Sequence, residues 1–156
     1  MDQTARILIV DDDENIRTVL KAILEDEGYN VDSVGTAKSA IEKTRRNFYN
    51  VALIDIRLPD MEGIELLAKV KDTTPRMRKI IITGYPTLQN AVEAVNRGSD
   101  AYILKPFDVN KILETIAKQL KEQEKEKKYS QDRVAEFIET RVKQLEMEEA
   151  IHKEKA

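Results

Sequence analysis

Three aspartates, Asp11-Asp12-Asp13, follow directly on the apolar run 7–10, and a fourth, Asp55, closes the apolar run 51–54. Carboxylates crowded together repel, and burial makes each harder to ionise. Such a cluster therefore needs a cation. Hard oxygen ligands with room for water suit Mg²⁺, which takes one or two carboxylates directly and keeps several waters. If Asp11, Asp12 and Asp55 share a pocket with Lys105, a dication and one ammonium neutralise the three carboxylates. A neutralised carboxylate is a competent nucleophile toward phosphorus, and covalent aspartyl phosphate is one of its uses. Phosphoryl transfer asks mainly for positioning and for cations beside the equatorial oxygens. The Thr83 hydroxyl and the Lys105 ammonium are of the right type for that.

These residues are far apart in the chain, so the elements between them decide whether they meet. Apolar runs at 7–10, 31–34, 51–54, 80–82 and 101–104 alternate with helical patterns. Four runs are nearly unbroken, as parallel strands covered on both faces must be. The second, Val31-Asp32-Ser33-Val34, mixes in polar residues and fits an edge strand. Ile16, Val19, Leu20, Ile23 and Leu24 form one apolar stripe, with Asp13 placed to cap that helix and Gly28 to end it. Thr36 can cap a second helix carrying Ala37, Ala40 and Ile41. A third is expected over about 62–70 and a fourth over 87–97, closed by Gly98. A fifth starts after Asp108 with Val109, Ile112, Leu113, Ile116 and Leu120.

Five βα units in series predict an α/β fold, a doubly wound five-stranded parallel sheet of the flavodoxin-like kind. With the second strand at an edge, the order is 2-1-3-4-5. Strands 1 and 3 are then neighbours at the topological switch point, where such folds bind ligands beyond the carboxyl ends of the strands. Asp55 is thereby placed beside Asp11 and Asp12, with Thr83 and Lys105-Pro106 ending strands 4 and 5 on the same rim. Asp13 has helix capping as its first role.

The 156 residues suit one domain with a real core plus an appendage. A charged fraction of 35% is high for a compact globule and points to a long solvated segment. The net charge of −3 gives no sign of nucleic-acid binding. Without cysteine there is no disulfide framework or thiolate metal site. No apolar run reaches the ~20 residues of a membrane span, and residues 1–4 lack the features of a signal peptide. A soluble cytoplasmic protein is expected.

The residues now in place carry a family resemblance. Val10-Asp11-Asp12, Leu53-Ile54-Asp55 with Leu58-Pro59 and Gly63, Ile82-Thr83-Gly84, and Tyr102-Ile103-Leu104-Lys105-Pro106-Phe107 occur in order and at suitable spacing. Over about 5–120 the sequence resembles the CheY-like receiver domain of two-component response regulators. The resemblance implies that Asp55 accepts a phosphoryl group from the phosphohistidine of a sensor histidine kinase. Asp12, Asp55 and the backbone carbonyl of Arg57 would ligand Mg²⁺, with Asp11 acting through water. Lys105 would pair with the phosphate, its bond to Pro106 cis, and Thr83 would move toward the phosphoryl oxygens. Tyr102 would follow inward and remodel the face of the fourth helix, fifth strand and fifth helix. Arg57 and Tyr85 stand where side chains tune the lifetime of the phosphate. The stretches Thr83-Gly84-Tyr85 and Lys105-Pro106-Phe107-Asp108 look closest to receivers of transcriptional activators.

Residues 121–156 differ in character: nine basic and ten acidic side chains, with neither Gly nor Pro. They are expected to form a charged helical tail, as one long helix with the fifth or as a separate one. Ala135, Ile138, Val142 and Leu145 follow a 4-3 heptad pattern, widened by Val134 and Phe137. The sequence therefore predicts a phosphorylation-dependent binding switch, with a sensor kinase, an unnamed downstream protein and a homodimer through the fourth helix–fifth strand–fifth helix face or the tail. A constitutive helical scaffold and the N-terminal part of a longer transcriptional regulator are the competing readings. The tail has no DNA-reading motif. An aspartate-dependent phosphatase would want a second acid two residues after its nucleophile, where Arg57 stands. His152 reads as a solvated tail residue.

Overall fold

The structure, a computed structural model, describes residues 4–84 and 87–154. Strands and helices alternate as β1 (Arg6–Val10), α1 (Glu14–Asp26), β2 (Asn30–Val34), α2 (Ala37–Arg46), β3 (Val51–Asp55), α3 (Gly63–Lys69), β4 (Arg78–Thr83), α4 (Leu88–Asn96), β5 (Ala101–Leu104) and α5 (Val109–Glu154). The five strands pair in parallel in the order β2-β1-β3-β4-β5, as the sequence led us to expect.

Strand periodicity divides the core into two layers. Leu8, Val10, Ala52, Ile54 and Ile81 face one layer with Ala37, Ala40, Ile64, Leu67 and Ala94. Ile7, Ile9, Val51, Leu53, Ile80, Ile82 and Ile103 face the other with Leu20, Leu24, Ile112 and Ile116. Each Val, Leu or Ile side chain of these layers is worth roughly 1.5–3 kcal/mol when fully buried. β1, β3 and β4 are sealed on both faces, which explains their unbroken apolar runs. β2, with Asp32 and Ser33, lies at an edge.

β4 begins two residues before its apolar run, because register is a matter of backbone pairing: Arg78 lies opposite Val51. Its polar start is held by Asp100, whose carboxylate accepts from the Lys79 N–H at 2.9 Å and the Arg76 guanidinium at 2.6 and 3.0 Å. Lys79 is buried; its Nζ donates to the Leu67 carbonyl at 3.3 Å, and burial pushes its pKa down against the opposing charges of Asp72 and Asp100.

Asp13, Thr36 and Thr87 cap α1, α2 and α4 through side-chain oxygens. α2 has a second cap from a distance: Asp60 accepts from the N–H groups of Ala37 and Lys38, both at 2.9 Å, and these bonds hold its carboxyl below the usual range.

The chain divides into two compact units, residues 1–123 and 124–156. The first is closed by Gln123, which is buried and donates to the carbonyls of Asn50 (3.0 Å) and Arg76 (2.8 Å) while accepting from Asn50 Nδ2 at 2.9 Å. In the second, Val134, Phe137, Ile138, Val142 and Leu145 are all exposed. Among the described residues no helix is long and apolar enough to cross a membrane.

Candidate functional site

The register of the sheet assembles the site. Val10 lies opposite Ile54, so the next residues along, Asp11 and Asp55, leave the ends of β1 and β3 side by side. Asp55 pairs with Ile82 and Thr83 with Leu104, which carries Thr83 and Lys105 to the same rim. Lys105 Nζ donates to Asp11 Oδ2 at 3.2 Å and to Asp55 Oδ2 at 3.1 Å. One oxygen from each of Asp11, Asp12 and Asp55 lies within 4.8 Å of the others. Asp11 and Asp55 are buried, whereas Asp12 is exposed.

Each buried carboxylate spends its second oxygen on backbone. Asp11 Oδ1 accepts the Asp13 N–H at 2.9 Å, and Asp55 Oδ1 accepts the Arg57 N–H at 3.2 Å. Burial pushes the Asp11 carboxyl up; the Asp13 bond opposes this, the Asp55 charge reinforces it and Lys105 opposes it again. Burial alone would lower Lys105, but the charges of Asp11 and Asp55 and the hydrogen bonds to both outweigh it and raise its pKa. The ammonium therefore stays charged across the physiological range. Three carboxylates and one ammonium leave a deficit of positive charge, and an all-oxygen donor set open on the Asp12 side fits a hard divalent cation such as Mg²⁺.

Two further contacts tighten the rim. Arg17 of α1 donates to the Asp11 carbonyl at 2.6 Å. Gly63 opens α3 against the Asp55 backbone: its N–H donates to the Ile56 carbonyl at 2.7 Å, and a Cβ there would overlap the Asp55 carbonyl oxygen. The loop between folds back on itself, with Arg57 and Glu62 bridged. Gly63 was visible in the sequence as part of a motif. Arg17 and Asp60 were not, because a contact from a helix face or a loop to a distant backbone leaves no periodic trace.

Thr83 is fully buried at the end of β4. Tyr102, opposite Ile81 on β5, packs its ring against the layer containing Ile54 and Ile81. Its hydroxyl is buried without a well-formed hydrogen bond; burial raises its pKa, and Thr83 is the neighbour that lowers it. The Arg57 side chain is exposed, the Lys105–Pro106 bond is cis, and Tyr85 lies outside the described residues. Asp11, Asp12 and Asp55 are thus brought together, with Lys105 on Asp11 and Asp55 and with Thr83 and Tyr102 forming an adjoining pair.

The family model of the response regulator receiver domain matches residues 7–117. The chain belongs to that family. The receiver is 51% identical to a CheY-like receiver domain protein from Methanospirillum hungatei JF-1, with a TM-score of 0.76 over 80% of this chain and 99% of that one. It is 36% identical to the beryllofluoride-activated NtrC4 receiver domain, solved as a dimer, with a TM-score of 0.71 over 76% of this chain and 98% of that one. Among curated relatives, the transcriptional regulatory protein ZraR of Escherichia coli K12 is 36% identical over 114 residues, which is 73% of this chain and 26% of ZraR. The alginate biosynthesis regulator AlgB of Pseudomonas putida is 34% identical over 119 residues, 76% of this chain and 27% of AlgB. The chain thus spans about a quarter of the length of the curated relatives it matches. A receiver is a phosphoacceptor switch rather than a classical enzyme, and it implies a sensor kinase as partner.

Proposed function

We propose that this receiver takes a phosphoryl group onto Asp55 from the phosphohistidine of a sensor histidine kinase and uses it to switch protein contacts. The observation that carries the reading is Lys105 Nζ set between Asp11 and Asp55 at 3.2 and 3.1 Å, beside a third carboxylate. An Asp55 oxygen attacks phosphorus; the new O–P bond forms as the P–N bond to the kinase imidazole breaks, and that bonding pair leaves with the nitrogen. Asp12, Asp55 and the Arg57 carbonyl would hold Mg²⁺, with Asp11 behind water, and the metal would neutralise charge on the phosphoryl oxygens. Lys105 exchanges part of its contact with Asp11 and Asp55 for a phosphoryl oxygen. Thr83 donates its hydroxyl to another, and Tyr102, already half-buried beside Thr83, takes up the space that this movement opens.

The output face is that of α4, β5 and α5, where Leu88, Val92, Val95, Leu104 and Val109 are exposed. A homodimer is supported by the dimeric state of the activated NtrC4 receiver, and we place it on this face. We assign residues 5–120 to the receiver and 121–156 to a helical tail, in a cytoplasmic protein whose output is protein contact. The transcriptional regulators among its relatives favour a second reading, in which the same switch forms the N-terminal part of a longer regulator.

Size exclusion with light scattering tests the switch, run with Mg²⁺ alone and with Mg²⁺ plus beryllofluoride. The expected result is a beryllofluoride-dependent rise in mass that Asp55→Asn abolishes. The same mass in all conditions would overturn the phosphorylation-dependent dimer.

A further inference from the structure

The tail carries an exposed apolar stripe and a charge pattern that together specify a partner. Ala135, Ile138, Val142 and Leu145 occupy successive a and d positions, within a stretch of α5 where every described residue is exposed. Counting from that seam, the g positions are Lys127, Val134, Arg141 and Glu148, and the e positions are Asp132, Glu139, Glu146 and Lys153. In a parallel pair each g residue faces the e residue five places on in the partner. That arrangement sets Lys127 against Asp132, Arg141 against Glu146 and Glu148 against Lys153, all attractive, with Val134 against Glu139 neutral.

The antiparallel arrangement that keeps all four apolar residues in facing layers does the opposite. It sets Arg141 against Arg141, Glu139 against Glu139 and Asp132 against Glu146, all repulsive. Opposite charges across a seam attract and like charges repel, so the e and g positions favour the parallel arrangement. We propose that residues 127–153 pair with a second copy of this chain as a parallel, in-register coiled coil.

Polar residues bound the seam: Lys128 and Gln131 occupy a and d before it, and Glu149 and His152 after it; in the parallel register Lys128 and Glu149 each face their own copy, which weakens both ends of the coil. Two apolar heptads make a weak contact on their own. Its occupancy rises steeply with local concentration, so the coil reinforces any dimer that the receivers form. The inference stands on the helix itself and does not depend on phosphorylation at Asp55.

Because the chain contains no cysteine, single cysteines can be placed in the 156-residue chain without background. Ile138→Cys and Leu145→Cys, seven residues and about 10 Å apart along the helix, are oxidised separately, with and without Mg²⁺ and beryllofluoride. A parallel, in-register pair disulfide-links each variant to itself, while Thr140→Cys on the outer face stays at the collisional baseline. Arg141→Glu lowers the Leu145→Cys cross-linking yield about tenfold, and adding Glu146→Arg restores it. Cross-links confined to mixtures of Ile138→Cys with Val142→Cys would show an antiparallel pair and overturn the proposal. So would yields at both seam positions no higher than at Thr140→Cys. The beryllofluoride arm reports on the receiver separately: cross-linking insensitive to it leaves the coil standing and counts against the switch.

Discussion

Gly63→Ala tests the dependence of the pocket on one backbone contact. Added to Gly63, a Cβ would overlap the Asp55 carbonyl oxygen and come within 3.0 Å of both the Asp55 carbonyl carbon and Ile56 Cα. All three are backbone atoms of a strand end sealed into the core, so no flexible side chain can yield. Overpacking typically costs 1–3 kcal/mol, and a clash with fixed backbone belongs at the upper end, about 3 kcal/mol. That is a large share of the 5–15 kcal/mol that holds a domain together. With a urea slope of about 2 kcal/mol/M, the unfolding midpoint should fall by about 1.5 M. The relief that is open to the chain is displacement of the turn 55–57, which carries Asp55 away from Lys105 and separates the Asp11–Asp12–Asp55 cluster. Beryllofluoride affinity should therefore drop in conditions where the variant is still folded. A midpoint within about 0.3 M of the parent, with unchanged beryllofluoride binding, would refute the reasoning.

Other perturbations act on separate parts of the molecule. Tyr102→Phe removes a buried hydroxyl that lacks a well-formed hydrogen bond, so urea unfolding should show stability unchanged or raised by up to about 1 kcal/mol; a loss above that would contradict it. Lys79 has a folded pKa below its unfolded one, so between that folded value and about 10.5 the unfolded chain binds the extra proton and stability rises with pH. Unfolding measured from pH 7 upward should show this rise in the parent and a smaller one in Lys79→Met; equal slopes would contradict the assignment. Gln123→Ala leaves the Asn50 and Arg76 carbonyls and the Asn50 amide without their shared partner. It should cost about 2–4 kcal/mol in thermal or urea unfolding, whereas Glu124→Ala, exposed one residue on, should cost nothing measurable.

Much of this architecture was legible because it rests on local pattern. Unbroken apolar runs marked β1, β3, β4 and β5, the polar interruptions at Asp32 and Ser33 marked the edge, and that edge fixed the neighbours of β1. Once β1 and β3 were adjacent, Asp11 and Asp55 had to meet, and Lys105 followed from the end of β5. What stayed hidden depends on pairing between distant residues. The start of β4 at Arg78 is carried by backbone ladder bonds and by Asp100, which hydropathy does not register. Asp60 capping α2, Arg17 on the Asp11 carbonyl and Gln123 on the loop at Asn50 are polar side-chain contacts across 23, 6 and 73 residues. Gln123, past the last apolar residue of the stripe at Leu120, is tied to the Asn50 loop by its side chain alone.

Covalent mapping tests whether Asp55 is the phosphoacceptor. The protein is incubated with acetyl phosphate and Mg²⁺, its intact mass is recorded, and the acyl phosphate is reduced with borohydride so that the modified residue can be located by peptide sequencing. The expected result is the gain of one phosphoryl group, its loss when Mg²⁺ is chelated, reduction at Asp55, and no labelling of Asp55→Asn. Labelling at another residue, or undiminished labelling of Asp55→Asn, would contradict it.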